Sequence, residues 1–136
     1  MKRVETLYFL SEIYKFSTIL DENGTEYVVF ESSSGDCVRN IQDKTAFEAF
    51  ENHRHILDNI KKIEFFSFFP IAEGIGQSLL YSLKQVFPNK RFVVYVTLRV
   101  GDAMIVRFHQ IWDGEPWYYN PADFTDPDEK VFAFTD

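Results

Sequence analysis

Two consecutive segments that alternate apolar and polar side chains constrain the fold most, because they flank a turn that contains glycine. The segments are Arg91–Val100 and Met104–Trp112, and Gly101-Asp102-Ala103 separates them. Both are rich in β-branched and aromatic residues, which favour strands. The pattern predicts a long antiparallel hairpin.

The side-chain faces of this hairpin indicate its register, since a slip of one residue turns every side chain to the opposite face. A three-residue loop pairs Val100 with Met104 and Val96 with Phe108, which leaves Gln110 as the polar member of one apolar face. The other face then carries Tyr95, Thr97, Arg99, Arg107 and His109.

A second hairpin precedes this one. Asn23-Gly24 tolerates positive φ and predicts a tight turn between strands at Tyr14–Leu20 and Thr25–Glu31. A short helix or strand is expected before Tyr14. Lys130–Thr135 alternates again and predicts a final strand.

Two helices are expected between the hairpins. The first begins at Asp43, with Asp43 or Thr45 as its cap and Glu48 completing a capping box. Its helical spacing continues through Phe47, Phe50, Arg54 and Leu57. The second helix is expected at Ile75–Val86, after a buried strand at Ile60–Phe69 that Pro70 ends.

Together these elements predict one domain over residues 1–136, of the α+β class. We expect a mainly antiparallel sheet with two helices packed on one face. The chain is 46% hydrophobic, and this composition excludes intrinsic disorder.

The negative charge is concentrated in one part of the chain. The segment Asp113–Glu129, called here the acidic segment, holds six acids and no lysine or arginine, while the whole chain has a net charge of −7. The remainder is therefore nearly neutral. This distribution argues against nucleic acid as a partner and favours a cationic protein.

The same sequence indicates where the protein acts. Cys37 is the single cysteine and cannot form an internal disulfide, which is typical of a reducing compartment. The most apolar stretch, Ile63–Ala72, is too short to span a bilayer. We expect a cytoplasmic protein without a membrane partner.

Residues that could support catalysis or bind a cofactor are scarce. Glu73–Ser78 contains two glycines but lacks the third that a dinucleotide site requires, so a tight strand-to-helix turn is the preferred interpretation. His53 and His55 would point in different directions on a helix and would not share a metal. His109 with Asp113 and Glu115 could bind zinc or manganese, although a histidine on a sheet face beside Tyr95 is the preferred interpretation. We expect no catalytic residues, no metal and no cofactor.

The acidic segment combines its acids with large aromatic side chains. Aromatic side chains provide rigid contact area, and acids add complementarity to a basic partner. The expected partner contacts are Asp113, Glu115, Trp117, Tyr118, Asp123, Asp126 and Asp128. In the alternative, Trp117, Tyr118 and Phe124 fold back onto the sheet and leave only acids exposed.

Two other functions stay open. The polar hairpin face could bind a small anion or act as an enzyme site, with Arg99 and Arg107 beside Tyr95 and His109. An uncovered sheet edge could instead pair with another subunit.

The run from Met104 to Tyr119 resembles the C-terminal part of small bacterial immunity-type proteins, which neutralise toxins made by the same cell or its siblings. This resemblance covers sixteen residues. It implies a protein that inhibits a toxic enzyme, often a basic nuclease. The leading hypothesis is therefore a non-enzymatic binding protein that occludes the toxin's active site.

Overall fold

A computed structural model describes residues 11–33 and 39–136. The element expected before Tyr14 falls mostly outside these ranges, and Cys37 lies outside them. The elements are β1 (Phe16–Leu20), β2 (Glu26–Phe30), α1 (Lys44–Glu51), β3 (His53–Leu57), α2 (Phe69–Val86), β4 (Phe92–Arg99), β5 (Met104–Gln110) and β6 (Glu129–Thr135).

The described strands form two antiparallel sheets, and the fold belongs to the α+β class as predicted. β1 and β2 pair across the turn at Asn23-Gly24, where Gly24 adopts φ 78°. The larger sheet has the order β3-β5-β4-β6. The final strand begins one residue earlier than expected.

The central hairpin forms as predicted, but its register is shifted by two residues. Leu98 pairs with Met104 and Tyr95 with Arg107, so the loop has five residues rather than three. The amide of Val100 donates to Asp128 O, and that of Gly101 donates to Ile60 O. These residues bond outside the hairpin and cannot extend its ladder. Because the shift is even, every side chain keeps the predicted face.

The first helix is shorter than its apolar spacing suggests. Asp43 caps α1 by accepting from the amide of Ala46, but the helix ends at Glu51 and His53–Leu57 form a strand. Asn52 ends the helix, and its side chain bonds with Phe30 N and Val28 O. The predicted continuation of the helix through Leu57 is wrong because β3 pairs with β5.

The expected strand at Ile60–Phe69 is also wrong. Two short 3₁₀ turns, Lys62–Glu64 and Phe66–Phe68, lead directly into α2. Pro70 lies in the first turn of that helix, where its missing N–H costs no hydrogen bond. The helix therefore begins six residues earlier than predicted.

The larger sheet is covered on both faces. α2 packs against β4 and β6 over a core that includes Leu79, Leu83, Val94 and Val96. On the opposite face, Val93, Tyr95 and Val131 contact residues of the acidic segment, among them Tyr119 and Phe124. Neither helix in the described ranges has the length and hydrophobicity that crossing a membrane requires.

Candidate functional site

His109 and Tyr95 connect the acidic segment to the sheet. His109 is buried on β5, and its Nδ1 lies 2.7 Å from Gln110 O, so Nδ1 carries the proton. Nε2 then accepts from the Tyr95 hydroxyl at 2.9 Å and from the Tyr118 amide at 3.3 Å. The Tyr95 hydroxyl also accepts from the amide of Tyr119. Two successive amides of the acidic segment are thereby bonded to side chains of the sheet.

Burial determines the protonation of this pair. It lowers the pKa of His109, although the bond to Gln110 O and the charge of Glu115 act in the opposite direction. It also raises the pKa of Tyr95 to about 12. Both side chains are neutral near pH 7, so Nε2 carries no proton and can accept hydrogen bonds from Tyr95 and Tyr118.

Arg107 supports the segment through its guanidinium. It lies 5.0 Å from the ring centre of Tyr118 and 5.5 Å from that of Tyr119, and it donates to Ala49 O. Stacking of this kind stabilises a cation against aromatic faces. Arg107 therefore joins α1, β5 and the acidic segment.

This arrangement removes the open face that the anion-binding alternative requires. Tyr95 and His109 are buried beneath the acidic segment, and Arg107 is half-buried. Arg99 is exposed at the end of β4 and forms an ion pair with Glu129 at 3.6 Å. Tyr95, Arg107 and His109 are together as predicted, but they hold the segment in place and do not line an open site with Arg99.

Glu115 anchors the acidic segment to α1. Its carboxylate accepts from the Thr45 hydroxyl at 2.6 Å and from the amides of Thr45 and Lys44. Burial alone would raise the pKa of Glu115, but these bonds outweigh it and hold that pKa below its ordinary value. Glu115 was expected to contact a partner, and the structure shows that its oxygens are engaged within the chain.

The aromatic side chains of the segment divide into two groups. Tyr119 packs edge-on against Tyr95 and Phe124, on the sheet. Trp117 and Tyr118 remain 41% and 39% exposed. Of the three aromatic side chains that the alternative places on the sheet, Phe124 packs there, while Trp117 and Tyr118 face solvent.

The acids of the segment also differ in their surroundings. Asp113, Asp123 and Asp126 are exposed, and within the described ranges none has a lysine or arginine at ion-pair distance. Asp126 accepts from the amide of Asp128. The carboxylate of Asp128 lies 3.9 Å from the ammonium of Lys62. Among the described residues, the three exposed acids therefore form no ion pair with a lysine or arginine.

A groove of about 210 Å³ lies between α1 and the acidic segment. It is lined by Asp43, Thr45, Ala46, Pro116, Trp117 and Tyr118. A second depression of about 150 Å³ lies at the far end of the hairpin, beside Arg99, Tyr119 and Phe124. Only the first depression has an exposed tryptophan in its wall.

Glu48 is a buried acid whose role its sequence position did not reveal. The predicted capping box does not form, and the carboxylate instead accepts from the Trp112 indole and from both nitrogens of Gln110. The amide of Val28 provides a fourth bond. The apolar spacing of the helix gave no signal for Glu48, since that spacing runs through Phe50, which is exposed.

The groups considered for a metal do not converge. Nε2 of His109 bonds to Tyr95, while Glu115 turns to α1. Across residues 11–33 and 39–136, no three His, Cys, Asp or Glu side chains are grouped as metal ligands would be.

Comparison with known proteins adds no assignment. No known protein family matches the chain, and neither the curated proteins nor the solved structures contain a significant match.

Proposed function

We propose that the chain is a non-catalytic binding protein that recognises a basic protein through its acidic segment. The observation that supports this most is the exposure of Trp117 and Tyr118 on a segment that is anchored on both sides of the pair. Exposed tryptophan and tyrosine held in a fixed position are typical of residues that dominate binding energy.

The charge of the segment supports a basic partner. Asp113, Asp123 and Asp126 are exposed and unpaired among the described residues, so their field extends into solvent. Such a field accelerates association with a cationic protein, and salt screens it. The exposed side chains of Trp117 and Tyr118 then provide the contacts that slow dissociation.

Within this class, an immunity-type protein is the specific form that we propose. The acidic segment would cover the active site of a basic toxin, such as a nuclease, whose substrate phosphates it would replace electrostatically. Action in the cytoplasm fits the single cysteine of the chain. Inhibition of the partner's activity is the property that distinguishes an immunity protein from other binding proteins.

The test compares the protein with two triple variants of equal net charge. One variant carries Asp113→Asn, Asp123→Asn and Asp126→Asn, and the control carries Glu22→Gln, Glu31→Gln and Glu73→Gln at exposed positions outside the segment. Each is used to capture proteins from the source cell's lysate at low and high salt. We then purify any basic protein retained and measure association rates by stopped flow.

The proposal predicts a one-to-one complex with a basic protein, with association slowed roughly tenfold in the first triple variant and little changed in the control. High salt should reduce this difference. Equal association rates for the two variants, or no basic partner at all, would overturn the proposal. Loss of the partner's enzymatic activity in the complex would support the immunity assignment, and full activity would exclude it.

A further inference from the structure

The groove beside Trp117 has the chemistry of a site for a cationic side chain. Trp117 and Tyr118 are aromatic and exposed, and Asp43 lines the same groove with an exposed carboxylate. Tryptophan is the aromatic side chain that attracts cations most strongly. An acid next to such a ring adds both charge and a hydrogen-bond acceptor.

The carboxylate of Asp43 retains capacity for a ligand. Its Oδ1 accepts from the amide of Ala46, and Oδ2 has no bonding partner among the described residues. Among the described residues, no lysine or arginine forms an ion pair with Asp43, and the ammonium of Lys44 lies over the ring of Trp112 at 5.6 Å. One oxygen of Asp43 is therefore available to a donor from outside the chain.

The walls of the groove are held in position before any ligand arrives. Glu115 bonds the segment to Thr45 just before Pro116, and His109 bonds the amide of Tyr118 just after Trp117. Arg107 stacks on Tyr118. A ligand that enters would pay little ordering entropy for the protein.

We propose that this groove binds an arginine side chain of the basic partner, a step that rests on the proposed function. A guanidinium can stack on an aromatic ring and donate to a carboxylate at the same time, because it is planar and its N–H groups lie at its edge. It is also more weakly hydrated than an ammonium and so loses less on entering a groove. Arginine is thus favoured over lysine, and the neutral analogue citrulline should not bind.

The test uses short peptides and the two indole N–H signals in ¹⁵N-resolved NMR spectra. The peptides are acetyl-Gly-Gly-X-Gly-Gly-amide with arginine, lysine or citrulline at X. Trp112 serves as an internal reference, since its indole N–H is bonded to Glu48. We expect the Trp117 signal to move saturably with the arginine peptide and to stay in place with the citrulline peptide. The lysine peptide should bind roughly threefold more weakly than the arginine peptide.

Two isosteric variants locate the charge that matters. Asp43→Asn removes the charge in the groove, and asparagine caps a helix as well as aspartate does, so the fold is preserved. Asp113→Asn removes an exposed charge that does not line the groove. The arginine peptide should bind roughly fivefold more weakly to Asp43→Asn than to Asp113→Asn. Equal affinity for the two variants, or equal response to citrulline, would overturn the inference.

The outcomes separate this inference from the proposed function. A basic partner that binds Asp43→Asn as tightly as the unmodified protein would leave the proposed function intact and exclude the arginine site. If the arginine peptide binds saturably but the lysate yields no basic partner, the site is supported and the proposed function is excluded.

Discussion

The indole Nε1 of Trp112 donates a hydrogen bond to Glu48 Oε1 over 2.7 Å, which ties the residues after β5 to α1. The same carboxylate accepts from Gln110 N, Gln110 Nε2 and Val28 N, each within 2.9 Å. One buried acid therefore joins α1 to strands of both sheets. Burial raises the pKa of Glu48 to about 7, although the four N–H donors act in the opposite direction.

Replacing Glu48 by glutamine should destabilise the protein by about 2–3 kcal/mol. Glutamine keeps the shape but presents an NH₂ group to two of the four donors, which are then left buried without acceptors. The free energy of unfolding at pH 8, where Glu48 is ionised, measures this loss by urea titration. Glu22→Gln, at an exposed turn position, should change that free energy by less than about 0.5 kcal/mol. Equal losses in the two variants would contradict the role of Glu48.

The stability contribution of Glu48 should depend on pH. The pKa of Glu48 is about 7 in the folded protein and near 4.5 when the chain unfolds, so between these values the folded state binds more protons. Stability from this group therefore falls as pH rises from 4.5 to 7. The destabilisation caused by Glu48→Gln should be larger at pH 5 than at pH 8, and a difference that does not change with pH would exclude the raised pKa.

Gly76 should be intolerant of a side chain because α2 passes close to β6 at this point. A Cβ at Gly76 would overlap the ring of Phe134, whereas a Cβ at Gly74 would meet nothing. We expect Gly76→Ala to cost about 1–3 kcal/mol. Gly74→Ala should stabilise the helix by about 0.5–1 kcal/mol.

Thermal and urea unfolding of both glycine variants would test this contrast. Phe134→Leu should relieve part of the cost of Gly76→Ala, because the two changes act at one contact. Additive effects would show that the ring is not the cause. Packing of α2 against Phe134 thus explains Gly76. The strand-to-helix turn expected at Glu73–Ser78 is wrong, because these residues lie inside α2.

Local patterns predicted the parts of the fold that depend on neighbours in sequence. The strand alternation in β4 and β5 determined which side chains share a face, even though the register was shifted. The turn at Asn23-Gly24 was also predicted correctly, and Asp43 is one of the two caps predicted for α1, since each feature is a local preference of the backbone.

The errors concern choices that depend on distant residues. His53–Leu57 has helical spacing, but pairing with β5, some fifty residues later, makes it a strand. The same holds for the site. The composition of the acidic segment indicated its aromatic and acidic character, yet nothing local distinguished Glu115, which bonds to α1, from Asp113, which faces solvent.

Protonation of His109 should release part of the acidic segment. A proton on Nε2 would remove the acceptor that the Tyr118 amide requires. The Tyr95 hydroxyl, which bonds to the same Nε2, accepts from the amide of Tyr119. Because burial lowers the pKa of His109 below its ordinary 6.5, the unfolded chain takes up this proton first. Stability from His109 therefore falls as pH drops below about 6.5.

NMR can follow this titration residue by residue. The amide signals of Tyr118 and Tyr119 should move with the same midpoint as the ring of His109, and that midpoint should lie below 6.5. The amide of Ala122, which is bonded to Asn120, provides a reference in the same segment. Movement of the Tyr118 signal without His109, or with a midpoint above 6.5, would contradict the arrangement.

Glu115 and Asp113 should differ in stability effects although both belong to the acidic segment. Glu115→Gln replaces one carboxylate oxygen by an NH₂ group, so that one acceptor oxygen remains for the three donors on Lys44 and Thr45. The free energy of unfolding should fall by about 1 kcal/mol. Asp113→Asn should change stability by less than about 0.5 kcal/mol, since Asp113 is exposed.

Because the pKa of Glu115 lies below 4.5 in the folded protein, its contribution is present above that pH and is lost as pH falls through the folded pKa. The gap between Glu115→Gln and the unmodified protein, measured by urea unfolding, should therefore be wider at pH 7 than at pH 3. A gap of equal size at both pH values would mean that the charge of Glu115 does not stabilise the anchor.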